Sequence, residues 1–438
     1  MNEFFLSTYN KIAKYLIILN LPRLLAFLII IPNLKKIVLL KNCKLILNLK
    51  ALTKSNELDM IISQDKHKRI ISIDISIRIL KTIFQKFYRI PISSSKGGAL
   101  TLEQIEKLQK LPNYNYWEKV KNYQKEKTEC IEFYLKFLNI FKFFLNANYI
   151  FSQNFVYSFV YDLFDAAKKK NIKCIVLMKE TCSPPGHQKF IVENFYNKTK
   201  FNGSKILFYS NEQKKNYLSV DGIKNKSDVI GTPKSDLILN KFSKQEKLTY
   251  EAALFFSVAI DKMNGIPEHV SKSLDIKNKV EQFHLNFIKI ANSTPNKKFL
   301  IKMKINKHKN LFLYPLLKKY QIKLGSNITV EYESTDAAYL ISNSKKIFVF
   351  HSTIIAEAIL MNKYVIEPKL FPKNEHDKSY LFSGNFEKAT IKVNNIDEAQ
   401  KVINSENLAI DFNHKKNLIN YYLGPCDGNV FDRFISLL

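Results

Sequence analysis

Arginine and glycine are scarce in this 438-residue sequence, and each scarcity narrows what the chain can be. Only Arg23, Arg69, Arg78, Arg89 and Arg433 carry a guanidinium, the planar fork that reads phosphates and base edges in pairs. A sequence-reading nucleic-acid binder is therefore not expected, although Lys+Arg outnumber Asp+Glu by 68 to 39. Eleven glycines and thirteen prolines leave no room for a long flexible linker or a low-complexity tract. Five cysteines, Cys43, Cys130, Cys174, Cys182 and Cys426, are an odd set with no C-x-x-C spacing. They argue against a disulfide framework or a zinc ribbon and suit reduced thiols. The P-loop, G-x-G-x-x-G, H-E-x-x-H and G-x-S-x-G patterns are all missing, so the chemistries they mark have no local signature. No pair of carboxylates is spaced to hold a metal, and neither metal nor cofactor is expected.

Long apolar runs are missing too. The most apolar region, 12–40, is cut by Pro22-Arg23 and by Lys35-Lys36. Its charge-free stretches, 15–22 and 24–34, fall short of the roughly 20 residues a spanning helix needs. An N-terminal helix leading to a buried strand is expected, with a helix lying on lipid as the alternative. The start, Met1-Asn2-Glu3-Phe4, has no basic n-region and no small-residue cleavage site, so a cytoplasmic protein is expected, peripheral on the inner membrane face if that helix meets lipid. The net charge of +29 attracts phosphates on nucleic acid, anionic lipid or a sugar nucleotide. A lysine surplus rich in Asn and Ile also fits compositional drift.

What is present is an alternation of apolar runs and amphipathic stretches. KKIVLL (35–40) and LDMIIS (58–63) read as strands, and IISIDISIRILKTIFQKFY passes from a strand into a helix. SSSKGGAL (93–100) is the strongest loop signal, followed by a capping box from Thr101 to Gln104. A helical region with an aromatic core stripe runs over 117–146. NYIFSQ, KCIVLMKE, KILFYS and SDVIG then alternate with helices, which is the βαβ pattern of a parallel sheet. A polar stretch at 239–250 reads as a linker. Beyond it ALFFSV, FLIKMK, NITVEY, KIFVFH and KYVIEP repeat the alternation. The pattern predicts an α/β protein of two facing Rossmann-like domains with parallel sheets, 1–238 and 251–438.

Open parallel sheets bind ligands beyond the carboxyl ends of their strands, so the residues after each strand are the candidates. After KIFVF, the run His351-Ser352-Thr353 starts a helix, and Glu357 one turn on is placed to accept from a ribose. A plain capped helix is the competing reading. After FLIK, the cations Lys302 and Lys304 with His308 suit a diphosphate, and a solvated basic loop is the cheaper explanation. After KCIVLMK, Glu180 with His187 beyond a Pro-Pro-Gly turn offers a general base, against a capping or salt-bridged glutamate. Cys182 has no evident activating partner. Gly231 and Pro233 in VIGTPKSD mark a turn at the domain joint.

Taken in order, KETCSPPG, KILFYSNEQKKNYLSVDGIKNKSDVIGTPKSDL, FLIKMK, FHSTIIAEAILMNKYVIEP and YYLGPCDGNVFDRF resemble the surface and capsule polysaccharide biosynthesis proteins of the GT-B glycosyltransferase type. Kdo transferases of capsule assembly and CDP-glycerol glycerophosphotransferases are similar in kind. The resemblance implies a nucleotide-sugar donor held by the C-terminal domain, with Ser352, Thr353 and Glu357 in the donor site and Lys302 and Lys304 on the phosphate; His308 and His351 join that set from their places after the strands. The resemblance also implies a glycan or lipid-linked acceptor facing the N-terminal domain, Glu180 as the base, and transfer without a required metal, with His187 added as a catalytic candidate from its place beyond the Pro-Pro-Gly turn. Two departures stand out: Lys302-Met-Lys304-Ile replaces a Lys-Pro-His-Pro type run, and the His-Gly-Thr type loop of CDP-glycerol transferases is missing. A sugar-nucleotide epimerase on the same architecture, or a non-catalytic basic protein binding membrane or nucleic acid, are the alternatives.

Overall fold

A computed structural model describes residues 3–37, 43–50, 56–88, 124–179, 182–242, 248–256, 265–303, 312–332 and 335–438. The loop at 93–100, the capping box at Thr101 and the first part of the 117–146 region lie outside them.

The first sheet holds β1 (Lys44–Lys50), β2 (Ile70–Ser76), β3 (Tyr149–Ser152), β4 (Lys173–Leu177), β5 (Lys205–Phe208) and β6 (Ser227–Val229) in the order β2-β1-β3-β4-β5-β6. The second holds β7 (Tyr250–Phe255), β8 (Phe299–Lys302), β9 (Ile328–Glu331), β10 (Ser344–Val349), β11 (Tyr364–Pro368) and β12 (Ile391–Val393) in the order β12-β11-β10-β7-β8-β9. Every pairing in both sheets is parallel. The expected α/β architecture of two Rossmann-like parallel sheets is what the chain forms. The second sheet has the dinucleotide-fold order, with its topological switch between β7 and β10. Each sheet is covered on both faces, so its strands read as continuous apolar runs rather than as alternations.

Three local expectations fail, each for a physical reason. LDMIIS is a helix, Glu57–Ile62, because Asn56 and Asp59 close a capping box. The Asn56 side chain accepts from the Asp59 N–H at 3.1 Å, and Asp59 accepts from the Asn56 N–H at 2.9 Å. That start signal outweighs a β-branched run. KKIVLL is helical in its described part (Leu34–Ile37), and the strand is the following KLILNLK. The stretch 239–250 is not all linker, since a helix from Pro233 reaches Phe242 and β7 begins at Tyr250.

The N-terminal region forms two helices, Glu3–Ile18 and Pro22–Ile30, with Pro22 in the first helical turn. Among the described residues no helix is long and apolar enough to cross a membrane. The last helix, Val430–Ser436, belongs by sequence to the second half but packs into the first. Val430, Phe431 and Phe434 share a core cluster with Ile46, Leu58, Ile175 and Leu207. The Tyr149 hydroxyl also donates to the Leu438 carbonyl.

Candidate active site

The chain crosses back through a tight backbone junction. Thr232 N–H donates to the Leu423 carbonyl at 2.9 Å, and the Ser210 hydroxyl donates to the Tyr421 carbonyl at 2.7 Å. Gly424 (φ 73°) lies so close to the first half that a Cβ there would stand 1.7 Å from the Tyr209 carbonyl oxygen. Gly231 (φ 85°) leaves the same kind of room for the Pro425 carbonyl. Both conformations and both approaches need glycine. Arg433 ties the seam by donating to the Ile230 carbonyl at 2.8 Å while pairing with Asp427 through both terminal nitrogens.

Beside this junction, elements leaving the carboxyl ends of the first sheet meet the two loops flanking the switch point of the second. Helix Pro185–Asn194, which follows β4, brings His187 against Gly265, in the segment after β7. A Cβ on Gly265 would lie 2.7 Å from His187 Nδ1. Burial lowers the pKa of this half-buried imidazole below its ordinary value, so near neutral pH it can accept a proton. Helix Pro233–Phe242, which follows β6, presents Lys234, whose Nζ lies 2.7 Å from the Glu357 carboxylate on the helix after β10.

Glu357 is only 5% exposed. Burial raises its pKa, and Lys234 opposes the rise. His351 takes a left-handed conformation (φ 47°) at the end of β10. Ser352, rather than Thr353, supplies the local cap, accepting from the Ile354 N–H at 3.3 Å. Lys302 ends β8 with its ammonium 4.0 Å from Glu331. Because β7 lies between β8 and β10, Lys302 and the 351–353 turn share one edge of the sheet, two strand spacings or about 10 Å apart. At the end of β11, Glu367 is buried and accepts from Ser383, Thr390 and Lys392 at 2.5, 2.8 and 2.7 Å. A small cavity of about 40 Å³ opens there between Phe350, Glu367, Lys378 and Ser383.

The structure thus gathers His351, Ser352, Thr353 and Glu357 at one strand end and sets Lys302 along the same edge. His187, Gly231 and Pro233 lie at the contact between halves, and Glu180, Lys304 and His308 lie outside the described residues. Residue-by-residue reading missed Lys234 and Glu57. Glu57 pairs with Lys179 at 3.6 Å through one oxygen, while its other oxygen is buried with no hydrogen-bond partner among the described residues. Cys182 sits between the core clusters of both halves, where the charges of Glu357, Lys234, Glu57 and Lys179 act on it. Burial pushes this thiol up to about 12, so it is not a thiolate nucleophile. The signal for Lys234 was present in its place, at a helix start directly after a strand.

Elsewhere His269, His376 and Asp377 put one potential ligand atom each within 4.8 Å of one another. Both imidazoles are exposed, and the helix carrying His376 and Asp377 packs against helix Pro185–Asn194, which carries His187.

Two parallel sheets whose carboxyl ends meet around a doubly crossed junction define a two-domain α/β protein of the GT-B type. Among solved structures the chain is similar to the UDP-GlcNAc 2-epimerase of Methanocaldococcus jannaschii, with 14% identity over 90% of this chain and 100% of that one, and a TM-score of 0.51. It is similar also to another UDP-N-acetylglucosamine 2-epimerase, with 11% identity over 91% and 95% and a TM-score of 0.50. At such identities the likeness establishes the fold. No protein-family model matches the sequence, and none of the curated proteins does.

Proposed function

We propose that the protein is an enzyme acting on a nucleotide sugar, and that it breaks the bond between the anomeric carbon and the diphosphate. The diphosphate would lie along the edge between Lys302 and the 351–353 turn, and the sugar would point to the first half. One observation carries this reading: His187 of the first half meets Gly265 in the segment after β7, and Lys234 of the first half pairs with Glu357 on the helix after β10, so the first half contacts both chain segments that leave the second sheet's switch point. A ligand placed between them would meet cations, a neutral imidazole and buried carboxylates from both halves, as a phosphate leaving group and a proton transfer require.

Of the reactions open to such a site, epimerisation is supported best, because the fold is that of UDP-GlcNAc 2-epimerases. It needs no acceptor. Glu180 and His187 are the candidate acid–base pair, and Glu357 orients the nucleotide. Glycosyl transfer to a glycan or lipid-linked acceptor in surface polysaccharide synthesis is the second reading, supported by the exposed apolar face of the N-terminal helices.

The test incubates the purified chain with UDP-GlcNAc, with and without a polysaccharide acceptor, following UDP release and the configuration at C2 by NMR. Acceptor-free inversion at C2 is expected. Release that strictly requires the acceptor assigns transfer instead, and failure to bind UDP or UDP-GlcNAc overturns both readings for this nucleotide.

A further inference from the structure

Helices Glu3–Ile18 and Pro22–Ile30 are apolar on two faces. Their inner faces bury Ala13, Ile17, Leu25 and Ile29 in the first half's core. Their outer faces are apolar as well. On the first, Ile12, Tyr15 and Leu19 recur at helical spacing and are 43%, 66% and 63% exposed. On the second, Leu24, Phe27, Ile31 and Leu34 continue the stripe through the short turn after Ile30, all of them exposed. The tip of helix Gln124–Leu145 extends the patch, since Phe144 rests on Phe27 with ring centroids 5.6 Å apart and Phe143 is 82% exposed beside it. An apolar helix face this continuous is normally covered.

The surrounding charge names the cover. Within this N-terminal stretch Glu3 is the only acidic residue before Glu57, whereas Lys11, Lys14, Arg23 and Lys35 are exposed among the apolar residues. The glutamates Glu126, Glu129 and Glu132 of helix Gln124–Leu145, which share a pocket with Asn20 and Pro22, are interspersed there with Lys86, Lys125 and Lys136. A second copy of the chain, paired face to face, would set these cations against their own counterparts. A surface combining an apolar interior with phosphate headgroups satisfies both features at once. We propose that this face docks the protein on an anionic membrane, with the two helices lying in the interface and their outer residues entering the headgroup boundary. This does not depend on which reaction the site performs.

The experiment is flotation of the full chain with phosphatidylcholine vesicles, with and without phosphatidylglycerol, at low and high salt. Binding to the phosphatidylglycerol vesicles is expected, weakening with salt as the lysine attraction is screened. Lys11→Glu with Lys14→Glu should lower partition by about fivefold or more for each site. Leu24→Glu with Ile31→Glu should abolish it, and circular dichroism and the melting temperature should match wild type because all four side chains are exposed. The proposal falls if folded wild type ignores anionic vesicles, or if the Leu24/Ile31 variant binds them as well as wild type. A concentration-dependent dimer in sedimentation, lost in that variant and accompanied by no vesicle binding, would give the face to a second copy.

Discussion

Replacing Lys234 by Met leaves the Glu357 carboxylate buried with its ionic partner gone. In the wild type the pair is 2.7 Å apart, with side-chain exposures of 28% for Lys234 and 7% for Glu357. Removing one member of a buried pair costs about 3–5 kcal/mol, and the partly open lysine places this case at the lower end, near 3 kcal/mol. At about 2.1 cal/mol/K per residue, the whole chain melting as one unit would lose roughly 3 °C, and a half melting alone more. Burial already raises the pKa of Glu357, and losing Lys234 raises it further. A carboxyl with a raised folded-state pKa favours the fold fully below its unfolded pKa, and that contribution disappears as pH rises through the folded value. The Lys234→Met penalty should therefore be largest near pH 8 and shrink toward pH 5. Adding Glu357→Gln should restore most of the loss at pH 8. Scanning calorimetry of the three variants at both pH values checks this. An unchanged melting temperature at pH 8, or an equal loss at both, would refute the idea of a buried charge held by its partner.

Three further outcomes are expected. Asp162 is 2% exposed and pushed up to about 6 by burial, although the Tyr88 hydroxyl donates to it at 2.6 Å. Stability should fall by roughly 3 kcal/mol as pH rises from about 4 to about 6, and Asp162→Asn should flatten that slope in denaturant titrations. Gly424→Ala should destabilise by more than about 3 kcal/mol, because its Cβ meets the Tyr209 carbonyl. Gly428→Ala, with a similar φ of 77° and open space around it, should cost only about 1 kcal/mol in the same melts. Lys302→Met should weaken UDP binding by roughly 10-fold or more, measured by calorimetry on the folded variant.

The sheets were legible because parallel strands buried on both faces are plain apolar runs between turn signals, and β2 to β11 fall where runs were read as strands. LDMIIS shows the limit of that reading, since the same residue types serve a helix once Asn56 and Asp59 close its first turn. Strand ends were legible as candidate sites because topology makes them so, and the 351–357 run lies at one. The partner of Glu357 was not, because Lys234 reaches it only through the packing of two halves. Nor did a residue pattern announce that Phe431 and Phe434 would complete a core begun at Ile46. That contact joins opposite ends of the chain, and only three-dimensional packing expresses it.

The returning helix has a consequence for biosynthesis. The first sheet is complete in sequence once Val229 has been made, but one of its faces still lacks Val430, Phe431 and Phe434. At about 5–20 residues per second a ribosome needs roughly 10–40 s to reach them. Throughout that interval Ile46, Leu58 and Leu207 lie on an unfinished surface, open to chaperones and to neighbouring nascent chains. Maturation of the first half is thus timed by synthesis of the second, and the first half cannot be expressed alone with its core intact.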